Sequence, residues 1–155
     1  MMEKFKQEFP TENTEGHKHT SRHNQYEFDV YKLIHLTQDI STNDVSMEDC
    51  SVDLDDFCWR DSNNNKVTPR QVAEIYKNEG FANAIITHPE IRQHLEKIDR
   101  ADYSHPILIF KSKIIDGRHR LVKAYSDGKT LIRARIIKSI PQAAIIKIYE
   151  KEGTD

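Results

Sequence analysis

The run Ile114-Ile115-Asp116-Gly117-Arg118-His119-Arg120 concentrates the groups in this sequence that could do chemistry. Apolar strand-forming residues end at Asp116-Gly117, and a helix-forming stretch begins at once. The first N–H groups of such a helix have no intrahelical acceptor and carry the positive end of its dipole. An anion placed there is stabilised by backbone alone. Basic side chains in the first turn oppose the dipole of an isolated helix, and a bound phosphate reverses the sign of that cost. Arginine also meets phosphate with two parallel hydrogen bonds. The spacing therefore predicts a phosphate cradle made of Gly117, Arg118, His119 and Arg120, with Lys123 one turn further on. Asp116 is placed to cap the helix, to bind Mg²⁺ or to accept a proton, and His119 is the other candidate catalytic group. A structural reading competes with this one: Arg118 to Arg120 could simply pair with acidic residues elsewhere in the chain.

The elements that must position this run are legible around it. Pro106 to Phe110 is a short apolar run, predicting a buried strand. Lys111-Ser112 is a tight connection to a second strand at Lys113–Ile115. Arg118 to Ser126 reads as a helix with Leu121, Val122, Ala124 and Tyr125 as its apolar residues, stopped by Asp127-Gly128. Leu131 to Ile137 predicts a strand with Arg133 and Arg135 on one face, while residues 140–150 fit a short helix or a final strand equally.

Upstream, Thr68-Pro69 is a helix start, with Val72, Ile75 and Tyr76 on one face and Gly80 as the stop. Thr87-His88-Pro89 repeats that start, ahead of Ile91, Leu95 and Ile98, with His94 beside the stripe as a structural histidine. Tyr26 to Ile34 suits a first strand. From Asp39 to Asp61 the chain is acidic, opposed only by Arg60; Val52, Leu54 and Phe57 to Trp59 anchor a short strand or turn within it. Asp61 to Asn65 predicts an exposed loop. Residues 1–25 read as a flexible polar tail, and its His17, His19 and His23 are spaced too loosely for a preorganised metal cage. The expected organisation is this tail, one α+β domain over residues 26–150 with a mixed sheet flanked by helices, and a C-terminal tail at 151–155.

Pro106-Ile-Leu-Ile, the short connection, Ile-Ile-Asp-Gly-Arg-His-Arg-Leu, Lys123-Ala124, and Gly128 with its following strand resemble the core of the ParB/sulfiredoxin superfamily. The likeness covers residues 104–137 closely and residues 26–100 in layout. It implies a small mixed-sheet fold whose glycine turn and helix bind nucleotide phosphates. The nearest motif is that of free-serine-kinase-like members, where an aspartate matching Asp116 acts beside the phosphates. Two departures narrow the implied chemistry. Sulfiredoxin-like proteins carry a catalytic cysteine where this chain has Arg118, so sulfinic-acid reduction is not expected. Partitioning proteins continue into a helix-turn-helix and a dimerisation region, which are not expected in a chain ending at Asp155. The second catalytic acid of the kinase-like members lies earlier in the chain. Glu48, Asp49, Asp53, Asp55 and Asp56 are open candidates for it, with no motif to choose among them.

Composition bounds the rest. The chain has 155 residues, 31% of them charged, a net charge of -2 and a mean hydropathy of -0.74. It is a polar protein and no polycation. No apolar run reaches membrane-spanning length and the N-terminus lacks a signal-peptide core, so a soluble, cytoplasmic protein with no membrane partner is expected. Cys50 and Cys58 read as idle thiols in a reducing compartment. The leading expectation is a small enzyme using ATP or another nucleotide, with Mg²⁺. It would be a kinase-like phosphotransferase with a small-molecule acceptor, or a nucleotide hydrolase. The alternatives are a DNA-binding or nuclease-like protein using Arg133, Arg135 and Lys138 on a phosphate backbone, and a non-catalytic nucleotide-binding module.

Overall fold

The computed structural model describes residues 20–23 and 26–148. Strand β1 (Thr20–His23) pairs antiparallel with β2 (Tyr26–Asp29), so part of the stretch expected as a tail is a strand. Residues 1–19 and 149–155 lie outside the described residues, and with them the rest of the expected N-terminal tail, His17 and His19, and the C-terminal tail. Tyr26 to Ile34 is not one strand. The Asp29 carboxylate accepts the Lys32 N–H at 3.1 Å and caps helix α1 (Val30–Leu36). Val30, Leu33 and Ile34 are buried at helical spacing. A capping aspartate at the strand end converts an apparently continuous apolar run into strand then helix.

The acidic segment is more helical than its composition suggests. Strand β3 (Asn43–Ser46) leads into a 3₁₀ turn (Met47–Cys50) and the single-turn helix α2 (Ser51–Leu54). Strands β4 (Trp59–Arg60) and β5 (Lys66–Val67) then form a hairpin whose tip is the expected loop. There Asp61 Oδ1 accepts the N–H groups of Asn63 and Asn65, both at 2.9 Å.

Helix α3 (Pro69–Glu79) starts on a full capping box: the Thr68 hydroxyl accepts the Gln71 N–H, and the Gln71 side chain accepts the Thr68 N–H. Gly80 ends it as expected, but helix α4 (Phe81–Thr87) follows immediately. Thr87 is therefore the end of a helix and not an N-cap. A 3₁₀ turn (Pro89–Ile91) then enters α5 (Arg92–Arg100).

The last third matches its sequence pattern. Strands β6 (Ile107–Phe110) and β7 (Lys113–Asp116) form a hairpin across Lys111 and Ser112, both in the left-handed region that suits strand twist. Helix α6 (Arg118–Ser126) crosses over to β8 (Leu131–Ile137), which runs parallel to β6. A 3₁₀ turn (Gln142–Ala144) and strand β9 (Ile145–Ile148) complete the described chain, so residues 140–150 contain both a helical turn and a strand.

The main sheet has the order β3-β8-β6-β7, and β1-β2-β9 form a second sheet. Strand β6 is buried throughout because the main sheet is covered on both faces. Ile107, Ile109, Ile114, Ile132 and Ala134 pack with α3, α5 and α6. Leu108, Phe110, Ile115 and Ile137 pack with α1 and Phe28. This is an α+β fold. No helix among the described residues is long and apolar enough to cross a membrane.

Candidate functional site

Gly117 is the N-cap of α6, at φ +107, and no side chain caps the helix there. A Cβ at this position would sit 2.6 Å from Ile107 Cγ2 and 2.8 Å from Arg120 Nη2, so both backbone angle and space demand glycine. Asp116 is not the cap expected from the sequence. Left-handed Gly117 occupies that position, and Asp116, one residue earlier, turns its carboxylate to Arg120, with Nη2 to Oδ2 at 3.0 Å. Asp116 is 4% exposed and Arg120 6%. Arg120 Nη2 also lies 3.5 Å from the Pro106 carbonyl, tying the helix start to the start of β6.

Arg118 faces a different partner. Its Nη2 lies 3.6 Å from Asp53 Oδ1, and Asp53 is buried. The same oxygen accepts the Ile114 N–H on the edge strand β7 at 3.1 Å, so one carboxylate joins α2 to the turn. Burial pushes the Asp53 carboxyl above its ordinary range, against the Ile114 hydrogen bond and the Arg118 and Lys113 charges. The 3.6 Å separation uses little of the guanidinium's donor capacity. Arg118 Nε is buried and has no hydrogen-bond acceptor among the described residues.

His119 is packed into a stack. His94 and His119 lie side by side on the Trp59 ring, 5.3 Å apart, with centroids 4.4 and 4.3 Å from it and planes within 14° and 12° of parallel. His94 Nε2 is 2.8 Å from the Arg60 carbonyl, which only accepts, so that nitrogen carries the proton. Burial holds the His94 pKa down to about 4, so the ring is neutral near pH 7 and its Nδ1 accepts. The 3.1 Å contact from His94 Nδ1 to His119 Nε2 then assigns a proton to His119 Nε2. His119, 6% exposed, is thus oriented by β4 and α5.

Of the remaining predicted residues, Lys123 is not brought to the turn. Its ammonium donates to the Asp99 carbonyl at 2.9 Å, near the end of α5. Arg133 is exposed, opposite Asp44 in the β3–β8 register. Arg135 does converge on the turn. A crevice of about 10 Å³, room for roughly one water, is lined by Asp116, Arg120, Arg135, His105, Ile34, Pro106 and Leu108. Arg135 donates to the Ile40 carbonyl at 2.9 Å, and burial lowers its pKa.

Sequence reasoning did not assign Trp59, His94, His105 or Arg135 to this site. Asp53 was one of several equivalent acids, and only its placement against β7 singles it out. A Mg²⁺ ion held by Asp116 does not fit the residues present. The carboxylate already carries a guanidinium at 3.0 Å, and a dication beside it would lie against that buried cation. Among the described residues, no three His, Cys, Asp or Glu side chains converge as a metal site. The chain matches no protein-family model, no curated protein and no solved structure.

Proposed function

We propose that this chain is a ParB/sulfiredoxin-like, nucleotide-phosphate-binding domain of the cytoplasm, in which the start of α6 and Arg118 hold a phosphate group. The activity it best fits is phosphotransfer from a nucleotide to a small acceptor, or nucleotide hydrolysis. One observation carries the reading: α6 begins on a left-handed glycine without a side-chain cap, beside an arginine whose Nε is buried without an acceptor among the described residues. Those donors match a phosphate, which accepts from the first helix amides and from a guanidinium together.

The basic residues then divide their roles. Arg118 contacts the phosphate, because its ion pair is long and a quarter of its side chain is open to solvent. Arg120 pairs with Asp116 and fixes the turn. His119, held by His94 and Trp59, supports the first turn of the helix. Asp116 lines the crevice and accepts the proton of an attacking hydroxyl or water as phosphate transfers. Buried pairing of Asp116 with Arg120 favours a second reading, a nucleotide-binding module without turnover.

Calorimetric titration with ATP, ADP and CTP tests the binding. Arg118→Ala weakens it about tenfold or more, and absence of binding by the wild type rejects the reading. Asp116→Asn separates the two activities. Turnover by the wild type that is lost in the variant, with binding kept, identifies an enzyme. Binding without turnover in the wild type identifies a module.

A further inference from the structure

On the far side of the β4–β5 hairpin lies a groove of about 830 Å³ that shares no residue with the turn. Its size falls within the range of about 300–1,000 Å³ found for binding pockets. Val67 and Ile75 form part of its wall, and Val72 and Ile91 are buried beneath it. Phe57 lines the same groove yet is 58% exposed, and Val52, in the adjoining hollow, is 64% exposed.

The charges of the groove are unbalanced. Arg70 is matched by Asp55, at 2.6 Å. That leaves Asp61, Glu74 and Glu90 facing Lys66. The hollow beside it adds Asp56 and Lys113 and shares Asp55. Arg70 and Glu74 of α3 belong to the chain Asp55–Arg70–Tyr125–Glu74, joined by hydrogen bonds of 2.6, 3.2 and 2.8 Å. One side is thus a fixed polar ladder and the other an apolar wall, with net negative charge at the rim.

We propose that this groove is the docking site for an extended segment of a partner protein, with a large apolar side chain between lysines or arginines. The apolar side chain covers Phe57 and enters between Val67 and Ile75, while the flanking cations meet Glu74, Glu90 and Asp61. Asp61, at the end of the acidic tract, together with Glu74 and Glu90, then serves partner choice through charge complementarity. This assignment is independent of the phosphate reading.

Three synthetic peptides and the full chain test it by calorimetry and amide chemical-shift mapping. They carry four repeats of Lys-Leu, Lys-Ser or Glu-Leu, whose alternation suits an extended chain. The expected result is binding of the first, at least about tenfold tighter than either other peptide, with shifts at Phe57, Val67, Ile75 and Ile91. Phe57→Ser, at an exposed position, and the paired change Glu74→Gln with Glu90→Gln each weaken it several-fold while the fold is kept. Equal binding of the serine peptide, or of the glutamate peptide, overturns the proposal. So do absence of binding, and binding that Phe57→Ser leaves unchanged.

Discussion

Two aspartate–arginine pairs in this molecule do opposite things. Asp116 and Arg120, at 3.0 Å, are both buried where β7 turns into α6. Asp55 and Arg70, at 2.6 Å, lie at the rim of the groove with side chains 58% and 34% exposed. The shorter contact is the less consequential one. Water solvates the exposed ions whether or not they touch, whereas each buried ion depends on its partner. The turn therefore spends its charges on geometry, and the groove keeps its charges facing solvent. Charge counted along a sequence does not distinguish these cases; burial does.

The sharpest way to break this comparison is to remove one partner from each pair. Arg120→Ala or Asp116→Ala leaves a buried ion alone and lowers stability by about 3–5 kcal/mol, read as a shift in the urea midpoint. Asp55→Ala leaves that midpoint essentially unchanged. Equal effects of the two would show that burial is not what separates them.

The next largest contrast is between glycines. Gly117→Ala places a methyl group 2.6 Å from Ile107 at a positive φ, and costs about 3 kcal/mol from strain and overpacking together. Gly80 also has a positive φ, +79, with nothing within 4 Å of the added atom, so Gly80→Ala costs only about 1 kcal/mol. Thermal or denaturant unfolding of the two variants measures the difference.

Acid acts on the same side of the molecule. His94 folds neutral, its pKa held down to about 4 from an ordinary 6.5. Below 6.5 the unfolded chain binds a proton that the folded chain does not, so this contribution is complete above pH 6.5 and is lost as pH falls towards 4. Allowing for the ring's partial exposure, the loss is on the order of 2 kcal/mol. Protonation at His94 Nδ1 also ends its acceptance from His119. His94→Phe keeps an aromatic ring on Trp59 and flattens the stability profile between pH 4 and 6.5; an unchanged profile would assign the dependence to other groups.

The smallest effect tests the carboxylate that joins the acidic segment to the turn. Asp53→Asn keeps an acceptor for the Ile114 N–H and removes a charge disfavoured by burial, so its stability stays within about 1 kcal/mol of the parent. Asp53→Ala abandons the buried N–H and costs about 1–3 kcal/mol. Parallel denaturation curves at pH 7 distinguish them.

The hairpin, turn and helix from Ile107 to Ser126 were legible because local rules coincide there: an apolar run, a two-residue turn, a glycine and a second glycine stop. Tyr26 to Ile34 misled because apolar spacing over so short a stretch fits either period, and the outcome rested on Asp29 as a cap. Helix α4 was missed because it starts directly after the Gly80 stop with no side-chain cap. Lys123 was drawn to the turn by helical spacing alone, yet the end of α5 offers its ammonium a carbonyl.

The sequence by itself determined that a strand stops at Asp116, that the chain bends at Gly117 and that a helix with basic first residues comes next. Those outcomes depend on backbone angles and on neighbours within a few positions, which a local reading contains. Only the tertiary structure decided which base is committed and which has donors to spare. Arg120 is matched to Asp116, His119 to His94 and Trp59, and Arg118 loosely to Asp53. The free energy of a charge is set by what surrounds it in three dimensions, and Asp53, Trp59 and His94 arrive there from elements far away in the chain.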